Sequence, residues 1–519
     1  MTNAYLGIDL GTSSVKILIV DEQGQVAGSG TASYPIHRPR PAAAEQDPEE
    51  WWQAVITATR QALGWTHTAT RIAGIGLSGQ MHGTVLLDSQ DRVIAPAIIW
   101  ADQRAWRQVR SITEQIGADR LIDLTGSPVA TGFQASTIRW LQEERSSLWW
   151  RTSRVLLPKD EIRRRLTGEV ATDPSDGSGT LLLDARWRDW SPAMLEALEI
   201  EQERLPAVRD SVAVAGELRP DAADLLGLPA GVPIVVGAGD AASGLLGAGI
   251  LDPDSMLLSL STGAQVLVPA RGVEPDRQGR MHTFCSALEP TPELSGWYQM
   301  GATLAAGMAA RWLRDQVFDL RGSDADERLT TWAGDAPIGA NGLLFLPYLA
   351  GERTPHMDSK TRGAFLGLTA RHGRAEIARA VIEGATLAAR DAFSVLQEQR
   401  AEPERIIIAG GGARSPVWRR IVADVFNLPV YPLATTDNAA MGAALLAAIG
   451  IGEMDPLDTP RDWARHGPPI EPSPGRHDRY RELFAIFRQA YGQVNEVNRQ
   501  LAAFDDPSDR AIVPRRPRP

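Results

Sequence analysis

Cysteine occurs once in 519 residues, at Cys285, so no internal disulfide framework and no thiolate metal cluster can be built. A single thiol fits a reducing compartment. Basic residues are outnumbered, 53 Lys and Arg against 64 Asp and Glu, and the net charge of −11 excludes a general nucleic-acid footprint. The expected partners are small molecules. No stretch approaches the roughly 18 consecutive apolar residues that span a bilayer, and no basic segment followed by an apolar run opens the chain. No membrane association is expected, and the expected location is the cytoplasm. Short apolar runs such as 232–239 are flanked by Pro and Gly and read as buried strands. No Gly-x-x-x-x-Gly-Lys-Ser/Thr segment exists, which excludes a P-loop, so any nucleotide must be held by other turns.

Such turns are present. The chain opens with a β-hairpin pattern carrying Gly7, Asp9, Gly11 and Thr12 and echoes it at Ser259, Ser261, Thr262 and Gly263. In the first copy 5–9 alternates like a strand, 11–13 reads as the turn, and 15–20 returns apolar. Backbone N–H groups with the hydroxyls of Thr12 and Ser13 suit phosphate oxygens; Asp9 has the wrong sign for phosphate and suits the waters around Mg²⁺. Either copy alone could be an ordinary surface hairpin. Two facing copies would grip a nucleotide's phosphates.

A length of 519 residues predicts two to four domains at about 150 residues each. Residues 4–33 read as a three-stranded meander. Asp47 and Pro48 mark a helix start, as cap and first residue, leading into Trp51 to Leu63. A strand is expected at 71–77, with helices at 102–116, 136–144 and 159–166. After Gly239 a second unit begins: a helix-like 244–250, the second hairpin at 256–260 and 265–268, helices at 303–318 and 375–397, and strands at 342–347 and 406–409. The rhythm is α/β. The end, 505–519, is rich in Pro, Arg and Asp and reads as a disordered tail.

Four constellations carry possible chemistry. Asp240 follows a buried strand and Gly237-Ala238-Gly239, where open α/β sheets hold their ligands, and could act as general base toward a substrate hydroxyl. The same Asp could merely cap a helix. Gly237, Gly239 and Ala242 also match the dinucleotide fingerprint, but Asp240 would aim negative charge at the pyrophosphate. Gln80, Met81 and His82 form a loop offering an amide, a thioether and an imidazole, a mixture that suits a polyol or ketose, although a lone His is often structural. Trp100, Asp102 and Arg104 add an aromatic and an ion pair that also describe a helix start. Gly410, Gly411 and Gly412 after the strand Ile406–Ala409 allow backbone to approach a flat ligand such as adenosine, as would a plain strand-to-helix turn.

Taken together these segments resemble the FGGY carbohydrate kinases from about residue 4 to about residue 490. Gln80 to Gly83, Glu45 to Trp52, Pro158 to Asp160, Tyr348 to His356 and Gly363 to Glu383 carry the likeness. The resemblance implies a two-domain actin-like, ribonuclease-H-like ATPase fold with an interdomain cleft: residues 1–245 for sugar, the first phosphate hairpin and the catalytic Asp; 246–490 for the second hairpin and adenosine; and 491–519 as a tail. It implies ATP and Mg²⁺, a sugar kinase acting on the 5-hydroxyl of a pentulose, and, at family level, a homodimer. Domain closure around the sugar would limit idle ATP hydrolysis. Asp240 falls on the proton acceptor and Asp9 on the acid that meets the metal through water. Gln80, Met81, His82, Trp100 and Asp102 fall on the sugar contacts. Thr12, Ser13, Thr262 and Gly263 fall on the phosphate turns, Lys16 joins the ATP contacts, and Gly411, Gly412 and Arg414 belong to the adenosine motif. The chain departs from the family at Ala101 and Ala241, where Asn is usual, at Ser261, where Gly is usual, and at Ser136 and Thr137, where Pro and Lys are usual. Other readings are a kinase for ribulose, fuculose or glycerol, a nicotinamide dehydrogenase, and a non-catalytic actin-like ATPase.

Overall fold

The structure, a computed structural model, describes residues 2–65, 70–435 and 437–502. The expected tail at 505–519 lies outside the described residues. The chain packs as two compact units, each discontinuous in sequence: Met1–Ser255, Leu267–Met300 and Leu433–Arg465 form the first, and Met256–Val266, Gly301–Pro432 and His466–Pro519 the second.

In the first unit, strands β1 (Thr2–Leu10), β2 (Ser14–Asp21) and β3 (Val26–Ser33) form the expected meander. Helix α1 (Pro48–Leu63) starts as anticipated, with the Asp47 carboxylate accepting from Glu49 N–H and Pro48 in the first turn. Strand β4 (Thr70–Gly79) then pairs parallel to β1. Helix α2 (Pro158–Thr167) follows, then strands β5 (Val214–Glu217), β6 (Pro233–Val235) and β7 (Ala238–Gly239), and helix α3 (Asp240–Gly247). The sheet order is β5-β6-β4-β1-β2-β3, with β7 also pairing to β4. Leu6, Ile8, Ile17, Ile19, Trp51, Val55, Ile75 and Leu77 are fully buried in one cluster between this sheet and α1.

The sheet's other side is covered from far along the chain, by the helix Asn438–Gly450. Its run of Ala and Gly lies directly on the strand backbone: a Cβ at Gly7 would meet the Ala440 carbonyl oxygen, and one at Gly76 that of Ala443. Helix α3 leans on the same partner, with Asn438 Nδ2 donating to Gly244 O at 3.0 Å and Ser243 Oγ to Ala439 O at 2.9 Å.

The second unit carries β8 (Ser255–Leu260), the start of β9 (Ala264–Ala270), the end of β10 (Trp297–Thr303), β11 (Arg405–Ala409), α4 (Pro416–Phe426) and β12 (Val430–Pro432), its strands in the order β10-β9-β8-β11-β12. A 25-residue helix, Arg374–Glu398, supplies its longest buried face. Among the described residues no helix is long and apolar enough to cross a membrane.

Three boundaries differ from the sequence reading. The helix expected from 102 starts at Trp106, because the Asp102 carboxylate accepts from Arg104 N–H at 2.9 Å and holds a turn there. The helix expected from 244 starts at Asp240. The helix expected from 303 starts at Gly307, since β10 runs through Thr303, whose hydroxyl accepts from Ala264 N–H at 3.1 Å.

Candidate active site

Asp9 stands near the end of β1, opposite Lys16 on β2 and Ser78 on β4, which is a direct result of the strand register. Ser78 Oγ donates to it at 3.1 Å, while Lys16 Nζ pairs with Asp437 at 2.6 Å. Burial pushes the Asp9 carboxyl up to about 6, with Lys16 and Ser78 pulling it back and Asp437 adding to the rise. Asp240 is the first residue of α3. Gly239 takes the capping position, so capping does not explain this carboxylate. Burial and then the charge of Asp9 push it up to about 7, against the backbone N–H groups of Ala241 and Asp240. The charge of Asp9 thus acts on Asp240 within the first unit, and Asp240 is partly exposed.

The turn after β1 and the Gln-Met-His loop are tied into one frame. Gly11 N–H donates to Ser14 O at 3.0 Å, the Tyr34 hydroxyl donates to Gly11 O, and Ser13 is exposed. Trp100 Nε1 donates to Thr12 Oγ1 at 2.9 Å. Gln46 Nε2 donates to Thr12 O at 2.7 Å, and its Oε1 accepts from Gln80 Nε2 at 2.8 Å. Met81 packs beside Gly239, with the Tyr298 hydroxyl 3.7 Å from its sulfur. His82 adopts φ +74°, donates Nδ1–H to Gly179 O at 2.6 Å and stacks on Phe133 with ring centres 3.8 Å apart, which fixes the tautomer and the ring plane. Asp102 is different. Its oxygens accept from Ala44 N–H at 2.7 Å and from the Arg104 backbone and guanidinium, so protein donors already occupy this buried carboxylate, and it supports the site from behind.

The second unit contains a cavity of about 730 Å³ lined by Thr262, Gly307, Arg311, Gly411, Gly412 and Arg414, among others. Four of the expected ATP contacts, Thr262, Gly411, Gly412 and Arg414, meet there; Gly263 lies behind them. A Cβ at Gly263 would meet the carbonyl oxygen of Thr303, so only glycine lets this turn seat on β10. The segment after β10 also clamps the turn: Ala306 and Met308 N–H donate to Thr262 O at 3.0 and 2.9 Å, and Gly307 N–H to Ser261 O at 2.9 Å. Ser261, where the family pattern has Gly, takes no positive φ, so a side chain costs the turn nothing. Ser415 caps α4 through Trp418 N–H, and the start of that helix faces the cavity with its dipole's positive end.

Sequence reasoning missed several residues here. Arg311 donates to Thr262 Oγ1 at 3.0 Å, Asp437 holds Lys16, and Lys159 is buried among Asp160, Asp173 and Asp176. Arg311 and Asp437 belong to no motif on their own segments. Lys159 sits in Pro158-Lys159-Asp160, which carries part of the family likeness but by residue pattern is an ordinary helix start with no role assigned to the lysine.

Models of the FGGY family of carbohydrate kinases match residues 4–247 with the N-terminal domain and 256–451 with the C-terminal domain. The chain belongs to this family. Xylulose kinase of Escherichia coli (strain K12) is 39% identical over 86% of this chain and 90% of its own length. Xylulose kinase of Bacillus subtilis (strain 168) is 35% identical over 96% of the chain and 99% of the relative. Among solved structures, a xylulose kinase from Lactobacillus acidophilus with bound ligand superposes with a TM-score of 0.89 at 26% identity, covering 95% of this chain and 98% of that one. The fold is the two-domain α/β fold of these kinases, and the protein is a phosphotransferase acting on a carbohydrate. Membership leaves no ground for the dehydrogenase or non-catalytic ATPase readings.

Proposed function

We propose that the enzyme transfers the γ-phosphoryl group of ATP to the 5-hydroxyl of D-xylulose, giving D-xylulose 5-phosphate and ADP, with Asp240 as general base. In the transfer, the 5-oxygen bonds to the γ-phosphorus, the bond to the ADP oxygen breaks, and the hydroxyl proton passes to the Asp240 carboxylate. The observation that carries this is Asp240 itself: partly exposed, first in α3, directly after the Gly239 that packs on Met81, and pushed up to about 7, where a base works best at neutral pH. The likeness to xylulose kinases supports the choice of sugar.

In this reading Gln80, Met81, His82 and Trp100 form the sugar's wall, and Asp102 braces it. Thr12, Ser13 and Lys16 meet the phosphates from residues 1–245, as Thr262 and Gly263 do from 246–490, where Gly411, Gly412 and Arg414 take the adenosine. Residues 491–519 are assigned no role. The donor chemistry fits Mg²⁺. The charge of Asp9 adds to the rise of Asp240, and a divalent cation beside them would relieve that repulsion. Mg²⁺, met by Asp9 through water, would offset charge on the transferring group. We also propose a cytoplasmic homodimer, which sedimentation of the purified protein tests.

The function is tested by supplying ATP, Mg²⁺ and a panel of xylulose, ribulose, fuculose, glycerol and gluconate while following ADP. Xylulose should give the highest kcat/KM. Turnover of glycerol or gluconate with no pentulose activity would overturn the substrate.

A further inference from the structure

Immediately behind Asp240 the first unit buries four side chains around Lys159 with no solvent contact. Lys159 Nζ lies 2.7 Å from Asp160, 2.9 Å from Asp173 and 3.3 Å from Asp176, and Arg163 lies 2.9 Å from Asp160; each of these side chains is 0% exposed. Removing such ions from water costs several kcal/mol apiece before attraction repays it, and apolar residues of similar volume would often hold a fold as well. The cluster therefore calls for a reason beyond stability.

The hydrogen bonds supply one. The Asp173 carboxylate accepts from Ser175 N–H and Ser211 Oγ, both at 2.9 Å, and from Ser175 Oγ. Ser175 Oγ, its own proton thus committed, accepts the backbone N–H of Gly239 at 3.0 Å. Gly239 immediately precedes Asp240. Arg163 holds the chain three residues earlier, donating to Val236 O, between β6 and β7, at 2.8 Å. The choice of cation also speaks. Of 53 basic residues only Lys16, Lys159 and Lys360 are lysine, so this chain uses arginine almost everywhere and keeps a compact ammonium where three carboxylates converge on one point.

We propose that Lys159 is a positioning residue for the general base: through Asp173 and Ser175 it fixes the Gly239 backbone and so aims Asp240 at the sugar hydroxyl. The inference rests on the reading of Asp240 as base. Burial works against the charge and Arg163 adds to that, but Asp160, Asp173 and Asp176 outweigh both and push the ammonium up, so Lys159 stays charged and the relay has a permanent anchor.

Ser175→Ala tests it in the full-length protein. Misaiming a base by a fraction of an ångström to one ångström should lower kcat about 10- to 100-fold. KM for ATP should stay unchanged, and Ser175→Thr, which keeps the hydroxyl, should restore turnover. Ser211→Ala removes an equivalent bond to Asp173 but none to Gly239, and should keep kcat within about threefold of the parent. Equal losses in the two alanine variants, or a Ser175→Ala enzyme with parental kcat, would overturn the relay. Lys159→Met, if it folds, should lower kcat and move the acid limb of the pH profile upward, because Asp173 and Asp176 lose their counter-ion while Asp160 keeps Arg163. If Asp240→Asn is inactive while Ser175→Ala is normal, only the relay fails; if Asp240→Asn turns over normally, the base assignment itself fails.

Discussion

A carboxylate is useful as a base only when it is ionised and yet basic enough to take a proton, and Asp240 meets both conditions near neutrality. On the proposed role, Asp240→Asn should lower kcat by about 10²- to 10⁴-fold while leaving calorimetric binding of sugar and ATP close to parental, since only a proton acceptor would be lost. The pH profile follows with a definite sign. Asp9 and Asp240 are both raised, to about 6 and about 7, so kcat/KM should fall as pH drops through that range. Asp240→Asn should abolish the upper limb. In stability terms the raised carboxylates favour the fold most fully at low pH and lose that contribution as pH rises through about 6 to 7, so the Asn variant should melt higher than the parent at pH 8. Thermal scans at pH 5 and 8 check this, a difference larger at pH 5 counting against it. Asp9, Gln80 and Asp240 stand out in the sequence because they fall at strand ends and glycine turns, where α/β sheets place their ligands. Lys159 and Ser175 do not, because their partners come from three separate segments and a one-dimensional pattern does not reveal a relay.

At the level of single elements, the turns are more constrained than the helices. Gly263→Ala would drive a methyl group into the Thr303 carbonyl oxygen and displace the turn that carries Thr262 into the cavity proposed for ATP. The expected result is a rise in KM for ATP of about tenfold or more with sugar affinity unchanged, because the displacement stays within the second unit. Isothermal titration with each substrate separately distinguishes this from general unfolding. The same elements show what patterning can and cannot reveal. The meander at 2–33 and the start of α1 were plain, because alternation and a capping Asp before Pro are local signals. The start of α3 was not, since Gly-Asp-Ala-Ala-Ser has turn-like composition and becomes helical through hydrogen bonds that link Ser243 and Gly244 to a helix far along the chain.

Across the whole molecule, the sequence reading divides the chain once, near residue 245, whereas the folded packing returns Leu433–Arg465 to the first unit. Nothing in composition marks that return, because the segment's Ala-rich helix reads the same whichever sheet it covers. A chain cut after residue 432 should consequently lose more than its end. The backbone of β1 and β4 would stand uncovered at Gly7 and Gly76, and Lys16 would lose Asp437. Such a fragment should be aggregated or molten, as measured by near-ultraviolet circular dichroism, and a sharply packed fragment would argue against this account of the core.

That late-arriving helix also bears on how the protein is made. The half that carries Asp9 and Asp240 is translated first, but its sheet is closed only by Asn438–Gly450, so the nascent chain must wait for most of its length to leave the ribosome before its catalytic half can mature.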